Sequence, residues 1–375
     1  MIYLDYSATT PVNEEVLNSF VKACNMYPGN PNSLHKLGVD ANHLINSSTE
    51  QILNILNIKD YDVIYTSGAS ESNNLAIKGI TDKYSNRGKH IITTSLEHSS
   101  INGPLEYLKE KGFEISYVKL DNNGRVDINN LKEILRDDTI LVSINAVNSE
   151  LGIRQPIEEI GALLNNYPKC YFHVDMTQAI GKIKVDLTNV DLFSFSAHKF
   201  YGIKGIGALI KKNKIIIEPI IHGGKSTTIY RSGTPSLPLI VSMSKALRLS
   251  YENIDSKINY IKEISNDLKE YFSNYELVRI NSNEYSIPHI LNISIIGVKP
   301  ETLLHSLESH NIFVSTKSAC SSNNAYSEAV YSVTNDMESA KSSIRISLSY
   351  LTTKEEINTL KETFKECYKE LTCLR

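Results

Sequence analysis

The chain has 375 residues, of which 41% are hydrophobic, and its formal net charge at pH 7 is −3. This composition allows a large core and predicts two domains rather than one. The small net charge argues against nucleic acid as a direct partner, and no apolar run approaches the roughly 20 residues of a membrane span. Because Met1 leads directly into strand-like sequence without a signal peptide, we expect a cytoplasmic protein with no membrane partner.

Apolar segments alternate with helical patterns between about residues 50 and 220. We predict strands at 62–66, 90–94, 115–118, 140–145, 170–175, 190–195 and 206–211. This alternation indicates βαβ units, so the predicted fold class is α/β with a mostly parallel sheet. His98, Asp175 and Lys199 closely follow predicted strands and should converge at the carboxyl edge of the sheet, where open α/β folds bind ligands.

The segment Asp62–Glu71 runs from the first predicted strand through Gly68 into a helix that begins near Ser70. Backbone N–H groups and the helix dipole at such a turn attract an anion. The turn alone is weak evidence, because any tight strand-to-helix connection can use a glycine. It matches neither a dinucleotide fingerprint nor a Walker loop. The segment Gly223–Ser226 is not a P-loop either, since Pro219 replaces the first glycine of that motif.

Lys199 lies among apolar and small residues at a predicted strand end, with no carboxylate nearby in sequence. Burial would favour its neutral amine, which is the form that attacks a carbonyl group. Many lysines at strand ends simply reach solvent, but here the predicted strand 170–175 ends on Asp175. A buried acid and a buried amine suit the ring nitrogen and the imine of one cofactor, pyridoxal 5′-phosphate (PLP).

The second half of the chain predicts a smaller unit. A helical pattern extends from about residue 239 to 274, and it is followed by strands at 290–295 and 343–348 and by helices at 301–310 and from about Thr353. We place the domain boundary inside the long helical pattern. The predicted domains are a large one of residues 14–255 and a small one formed by residues 1–13 and 256–375.

The five cysteines include no CxxC pair, so they indicate reduced thiols rather than disulfides or a zinc site. Four occupy ordinary structural positions: Cys24 shares a predicted helix face with Leu17 and Val21, Cys170 and Cys367 fall on apolar faces, and Cys373 lies at a helix end. We expect the cysteines on apolar faces to be buried, which is the commonest fate of a free cysteine. Cys320 differs, because its neighbours are small and polar and offer nothing to bury a thiol against. We expect an exposed, reactive loop there, with Lys317 lowering the pKa of the thiol.

Several motifs occur in a fixed order between Tyr3–Pro11 and Ser342–Ser347: Gly29–His35, Thr66–Asn74, Glu97-His98, Asp175–Gln178, His198-Lys199, Arg231–Thr234 and Ser318–Ser322. Together they resemble the NifS/IscS-type cysteine desulfurases of the class V aminotransferase superfamily, which depend on PLP. The likeness covers nearly the whole chain. It implies the aspartate aminotransferase-like fold, fold type I, with a smaller α/β C-terminal domain that carries the catalytic cysteine loop.

By this resemblance, Lys199 would form the internal aldimine with PLP and then move protons, while His98 would stack on the ring and assist acid–base transfer. Asp175 would keep the ring nitrogen protonated, Gln178 would donate to the phenolic oxygen, and Ser149 would occupy a further ring-contact position. The residues expected at the phosphate are Ala69, Ser70, Ser196, His198 and, from a second subunit, Thr234.

The same likeness implies that Arg345 grips the substrate carboxylate through a bidentate contact and that Asn32 contributes to substrate binding. The substrate would be L-cysteine, which loses its sulfur to the Cys320 thiolate and leaves as L-alanine. A sulfur-acceptor protein, either an iron–sulfur scaffold or a tRNA-thiolation enzyme, would then receive the persulfide. Because Thr234 would complete the site of the opposite subunit, a homodimer is expected.

Two other functions fit the same motifs: a selenocysteine lyase or other class V aminotransferase-like enzyme, and a weakly active or non-catalytic homologue that binds a partner. Cys320 argues against an aminotransferase, and Lys199 with Asp175 argues against an inactive scaffold. The chain departs from the family pattern at positions that concern rate, loop motion and partner choice. Ser149 replaces an asparagine that Asn148 could supply from one position earlier, segment 223–230 is altered, and Lys317 and Ser349 replace glycines.

Overall fold

The computed structural model describes residues 1–316 and 325–373. The strands are β1 (Ile2–Tyr3), β2 (Tyr61–Thr66), β3 (His90–Thr93), β4 (Glu114–Tyr117), β5 (Thr139–Asn145), β6 (Tyr171–Asp175), β7 (Leu192–Ser196), β8 (Gly207–Lys212), β9 (Val278–Ile280), β10 (Ile290–Ile295), β11 (Ile312–Phe313) and β12 (Ser343–Ser347). The helices are α1 (Glu14–Met26), α2 (Lys36–Ile55), α3 (Ala69–Tyr84), α4 (Ser99–Glu110), α5 (Ile128–Ile134), α6 (Ile157–Leu164), α7 (Leu237–Tyr251), α8 (Ile254–Ser273), α9 (Pro300–Glu308), α10 (Glu328–Thr334), α11 (Met337–Lys341) and α12 (Lys354–Cys373).

The central sheet contains seven strands in the order β2-β8-β7-β6-β5-β3-β4. Strand β8 runs antiparallel to β2 and β7, and the other neighbouring pairs are parallel. All seven predicted strands are confirmed, with bounds that differ by two residues at most. The α/β fold with a mostly parallel sheet is therefore confirmed.

Helices cover both faces of this sheet, so its strands are apolar on both sides. Strand β7 shows the alternation: Phe193 and Phe195 pack in the same apolar cluster as Ile240 of α7, whereas Leu192 packs with Leu75 of α3 on the opposite face. Every residue of β5 is buried. Because helices cover both faces, polar side chains can meet at the carboxyl ends of the parallel strands, which the helices leave open.

A smaller sheet in the order β12-β10-β9 is antiparallel and has its own apolar cluster. This cluster joins Phe272 of α8, Leu291 of β10 and Phe364 of α12, and Leu4 from the N-terminal segment also belongs to it. This cluster joins residues from both ends of the chain, while the division into domains of residues 14–255 and of residues 1–13 with 256–375 stays a prediction.

Two sequence predictions are wrong in detail. The helical pattern from 239 to 274 is not one helix, because Asn253 has a φ of 54° and ends the regular geometry between α7 and α8. Cys24 is exposed on α1 instead of buried, since Leu17 and Val21 on the same apolar stripe are also about half exposed. Among the described helices, none is long and apolar enough to cross a membrane.

Candidate active site

A cavity of about 560 Å³ opens at the carboxyl ends of β5, β6 and β7. Ten of the thirteen predicted site residues line it: Ala69, Ser70, His98, Ser149, Asp175, Gln178, Ser196, His198, Lys199 and Arg345. A larger cleft of about 1070 Å³ lies near the start of β2 and the end of the antiparallel β8, and no predicted site residue lines it. The chemistry-bearing residues thus meet at the smaller cavity, at the edge that the strand pattern predicts.

Asp175 is the last residue of β6, and its carboxylate is held from two sides. Asn73 Nδ2 donates to Oδ2 and the backbone N–H of Thr177 donates to Oδ1, both at 2.9 Å. Sequence reasoning gave Asn73 no role, although it lies four residues after Ala69 and so shares a helix face with the start of α3. The two contacts fix a buried carboxylate that faces the cavity.

Lys199 follows β7 directly, and the N-terminal segment holds its amine. Nζ donates to the backbone oxygens of Ser7 at 2.6 Å and Ala8 at 2.8 Å. The sequence marks this segment only as the motif Tyr3–Pro11. Its residue types do not predict that its carbonyl groups bind a lysine 191 to 192 positions away. A long-range backbone contact therefore positions the predicted nucleophilic amine.

His98 caps the N-terminus of α4, and its environment defines its protonation. The backbone N–H of Ser100 donates to Nδ1 at 3.1 Å, so Nδ1 acts as an acceptor and the proton of the neutral ring lies on Nε2. Burial lowers the pKa of His98 below its ordinary value, which favours this neutral form. The neutral ring therefore has one donor, the Nε2–H, because the helix cap occupies its Nδ1 lone pair.

The predicted anion site lies at the N-terminus of α3. Gly68 is the N-cap residue and provides no side-chain hydrogen bond, so the backbone N–H groups of the first turn face the cavity beside Ser70 and Ser196. Glu71 also lines the cavity, but Arg231 Nε donates to its Oε1 at 3.0 Å. The helix end thus keeps a donor set that suits a phosphate.

His198 lies beside these donors and in front of Lys199. Its Nδ1 is 3.1 Å from Thr9 Oγ1. Burial, with a smaller effect of the positive charge of Lys199, lowers the pKa of His198 to about 4. The ring is therefore neutral near pH 7 and can offer a hydrogen bond, rather than a positive charge, to an anion.

Arg345 lies on β12 and reaches the opposite wall of the cavity from the small sheet. Its Nη1 donates to the backbone oxygen of Ser149 at 2.9 Å, and its Nη2 forms an ion pair with Asp5 at 2.7 Å. Each terminal nitrogen carries two hydrogens, so one N–H on each remains for a carboxylate. Arg345 can therefore keep its ion pair with Asp5, the ordinary role of a strand arginine, and still bind a substrate carboxylate.

Ser149 lines the cavity, whereas Asn148 does not. The side chain of Asn148 is buried and occupied by the backbone: Nδ2 donates to Leu96 O, and Oδ1 accepts from the N–H groups of Glu150 and Leu151. Asn148 therefore cannot replace the asparagine that the family places at position 149.

Ser349, another departure from the family pattern, is buried and pairs with the hydroxyl of Tyr201 at 2.6 Å.

Two predicted residues do not line this cavity, and a third lies outside the described residues. Thr234 is exposed and lines a small neighbouring pocket with Ser67 and Gly205, while Asn32 is exposed on the segment before α2. Cys320 lies outside the described residues, as does Lys317. The roles of Thr234, Asn32 and Cys320 stay predictions.

Glu97, next to His98, lies buried under the cavity and was not assigned a role. Its Oε1 accepts from Thr94 Oγ1 at 2.7 Å and from Asn145, and burial raises the pKa of Glu97 to about 8. The folded protein therefore keeps a proton that the unfolded chain releases above its ordinary pKa of 4.5. Because the folded state binds this extra proton, the free energy of unfolding should fall as the pH rises from about 5 to 8.

We expect Glu97→Gln to remove this pH dependence, since glutamine has a similar shape and does not titrate. Denaturant unfolding of the apo-protein at pH 5, 6.5 and 8 measures the effect. The free energy of unfolding of the wild type, relative to the variant, should fall steadily over this range. An exposed control, Glu110→Gln, should give a constant difference, and a constant difference for Glu97→Gln would show that Glu97 is ionised in the folded protein.

Comparisons with known proteins agree with this geometry. A model of the aminotransferase class-V family matches residues 2–360. The chain is 40% identical, over 95% of its length and 92% of the relative's, to a protein named cysteine desulfurase IscS from Dictyoglomus turgidum. It also resembles a solved structure titled NifS-like protein, with a TM-score of 0.91 and 32% identity over 99% of both chains. A structure titled SspA in complex with cysteine matches with a TM-score of 0.82 and 30% identity, covering 94% of this chain and all of the other.

Proposed function

The chain belongs to the class V aminotransferase family, among its cysteine desulfurases, and we propose that it uses PLP in the described cavity to convert L-cysteine to L-alanine. The sulfur would be carried as a persulfide on Cys320 to an iron–sulfur scaffold or a tRNA-thiolation enzyme. The observation that carries this proposal is the convergence of Lys199, Asp175 and the open N-terminus of α3 on one cavity. The four described cysteines are free thiols, which supports a cytoplasmic location.

The donor set of the cavity fits PLP. The Asp175 carboxylate would hold the ring nitrogen, the amine of Lys199 would bind the aldehyde carbon, and the first turn of α3 with Ser70 and Ser196 would bind the phosphate. Gln178, fixed between Ser7 and a buried lysine, can donate an N–H to the ring oxygen. When bound, the cofactor would act as an electron sink that makes the Cα–H of the amino acid acidic.

The protein side of the reaction follows from the positions of three residues. Arg345 would bind the substrate carboxylate with its remaining N–H groups, which orients the amino acid across the cavity. Lys199, held by the Ser7 and Ala8 carbonyl groups, would take and return the proton at the α-carbon. His98, neutral and with its Nδ1 lone pair held by the Ser100 N–H, would stack on the ring and assist acid–base transfer through its Nε2–H.

We propose that Cys320 supplies the acceptor thiol, because the chain shortly before it is held beside the cavity. Ser315 pairs with Arg345 through two backbone hydrogen bonds, which fixes the chain beside the cavity wall immediately before the segment that carries Cys320. Cys320 follows Ser315 by five residues, and five residues span at most about 17 Å when extended. The Cys320 thiolate would attack the substrate sulfur, so that an S–S bond forms and the C–S bond of cysteine breaks.

The exposed apolar residues support a homodimer. Seven of the sixteen large apolar side chains that are exposed in the described chain lie between residues 12 and 39: Val12, Leu17, Val21, Met26, Leu34, Leu37 and Val39. Burial of these groups against a second copy would be favourable. Ile221 and Ile229, also exposed, lie on the segment before Thr234. We propose that this segment contacts the partner subunit, where Thr234 would bind the phosphate.

Mixed dimers test this arrangement. A heterodimer of a Lys199→Ala subunit and a Thr234→Ala subunit should regain one intact site, because one of its two sites would collect both lesions and the other none. We expect about half of the wild-type activity per dimer. The measurement uses heterodimers that are purified from the homodimers through a different tag on each subunit. Activity no higher than the average of the two parent homodimers would place Thr234 in its own subunit's site or in none.

A direct assay tests the reaction itself. The protein, loaded with PLP, is incubated with L-cysteine and dithiothreitol, and sulfide and alanine are measured together. Equal amounts of the two products support the desulfurase, since each turnover releases one of each. Parallel incubations with L-selenocysteine, and with L-cysteine plus a keto acid, distinguish the alternatives. Activity restricted to selenocysteine would indicate a lyase, transfer of the amino group to the keto acid without sulfide would indicate an aminotransferase, and no reaction in any incubation would indicate a binding homologue.

A further inference from the structure

A second lysine lies behind the wall of the cavity. Lys182 comes seven residues after Asp175, is 8% exposed and does not line the cavity. Its Nζ donates to Oε1 of Gln178 at 2.6 Å, and this is the only hydrogen bond of the amine found among the described residues. A buried lysine with a single neutral partner is costly, so its place next to the site calls for an explanation.

The charges around Lys182 make its burial more unfavourable. Lys199 and Arg345 are the charged groups that act on it most, and both are cations. Burial first, and then these two positive charges, lower the pKa of Lys182 well below its ordinary value. His289 lies near it, is also buried, and has an Nδ1 atom without a partner in the described part of the chain. No ion pair within the described ranges therefore accounts for this lysine.

The contact of Lys182 determines how Gln178 is oriented. The amide of Gln178 accepts from Lys182 through Oε1 and donates from Nε2 to the backbone oxygen of Ser7 at 2.9 Å. The Ser7 carbonyl oxygen can only accept, and the Lys182 amine donates to the amide oxygen, so the two contacts together hold the amide in one orientation. In this orientation, the second N–H of Nε2 is the remaining donor of the group, and Gln178 lines the cavity.

We propose that Lys182 is a positioning residue of this site: it holds the Gln178 amide so that an N–H, and not the oxygen, faces an oxygen acceptor on the bound cofactor. The proposal rests on the proposed function, because the acceptor is the phenolic oxygen of PLP. Without the lysine, Oε1 of Gln178 would lose its buried donor, and the amide could turn its oxygen toward the cofactor oxygen. Two acceptors would then face each other.

A double-mutant cycle on PLP affinity tests this coupling. PLP is titrated into the apo-forms of the wild type, Lys182→Met, Gln178→Ala and the double variant, with absorbance as the signal. Lys182→Met should weaken PLP binding about three- to tenfold when Gln178 is present, as expected for one hydrogen bond, and less than about twofold when it is absent. The matched control Lys184→Met removes an exposed lysine paired with Asp255 and should leave the affinity unchanged.

An equal loss in both backgrounds would overturn the proposal, since Lys182 would then act without Gln178. Failure of the wild type to bind PLP would instead refute the proposed function, so the two failures can be told apart. If Lys182→Met does not fold, Gln178→Glu provides the test with Lys182 in place. The new carboxylate should pair with Lys182 and hold the melting temperature of the apo-protein above that of Gln178→Ala, which also loses the Ser7 contact, while PLP binding falls about tenfold or more. A melting temperature no higher than that of Gln178→Ala would show that Lys182 does not face this side chain.

Discussion

Replacement of Lys199 by alanine is expected to abolish covalent retention of PLP and to reduce sulfide formation by about 10³-fold. The reason is the placement of the amine: Nζ is fixed by the carbonyl oxygens of Ser7 and Ala8 at the cavity wall, next to Asp175. Borohydride reduction, followed by dialysis under denaturing conditions and absorbance of the protein, measures the covalently bound cofactor. The wild type should retain about one PLP per chain and the variant none.

Lys204 supplies a matched control, because it also lines the cavity but is exposed to solvent. A lysine nucleophile is activated by desolvation, which an exposed side chain lacks. Lys204→Ala should therefore retain the cofactor after reduction. Covalent PLP in Lys199→Ala, together with its loss in Lys204→Ala, would assign the imine to Lys204 and contradict the proposed role of Lys199.

The sequence was informative where local patterns determine geometry. Asp175 and Lys199 each follow an apolar strand, and parallel strands bring such residues to one edge of a sheet, so their meeting is predictable from the order of residues alone. The open N-terminus of α3 followed from the same kind of argument, because Gly68 separates a strand from a helix. These predictions depend on contacts within a few residues or on the regular order of βαβ units.

Other features depend on contacts between distant segments, which a single sequence does not encode in a readable pattern. The carbonyl oxygens of Ser7 and Ala8 bind Lys199, and Arg345 pairs with Asp5 across 340 positions. The apolar stripe of α1 correctly indicated an amphipathic helix, but the pattern does not state whether the core or another subunit covers it. Cys24 was therefore predicted to be buried, whereas it is exposed.

The second large effect is expected from Cys320→Ala, which should separate cofactor chemistry from sulfur transfer. None of the four described cysteines lines the cavity. Burial raises the pKa of Cys170 and of Cys367 above the ordinary value, which suppresses their thiolates, and Cys24 and Cys373 lie exposed on α1 and at the end of α12. Cys320 is thus the thiol that we expect to take the substrate sulfur.

The variant should bind PLP as the wild type does and should still show an absorbance change with L-cysteine, because Lys199, Asp175 and Arg345 are intact. It should not accumulate a persulfide, and sulfide formation should fall by about 10²-fold or more. Alkylation and mass spectrometry after exposure to L-cysteine would locate the extra sulfur atom. The control variants Cys24→Ala and Cys373→Ala remove exposed thiols that do not line the cavity and should load Cys320 normally. Persulfide at wild-type levels on another cysteine of Cys320→Ala would show that sulfur leaves the cavity by a different thiol, while loss of the absorbance change would show that Cys320 also takes part in substrate binding.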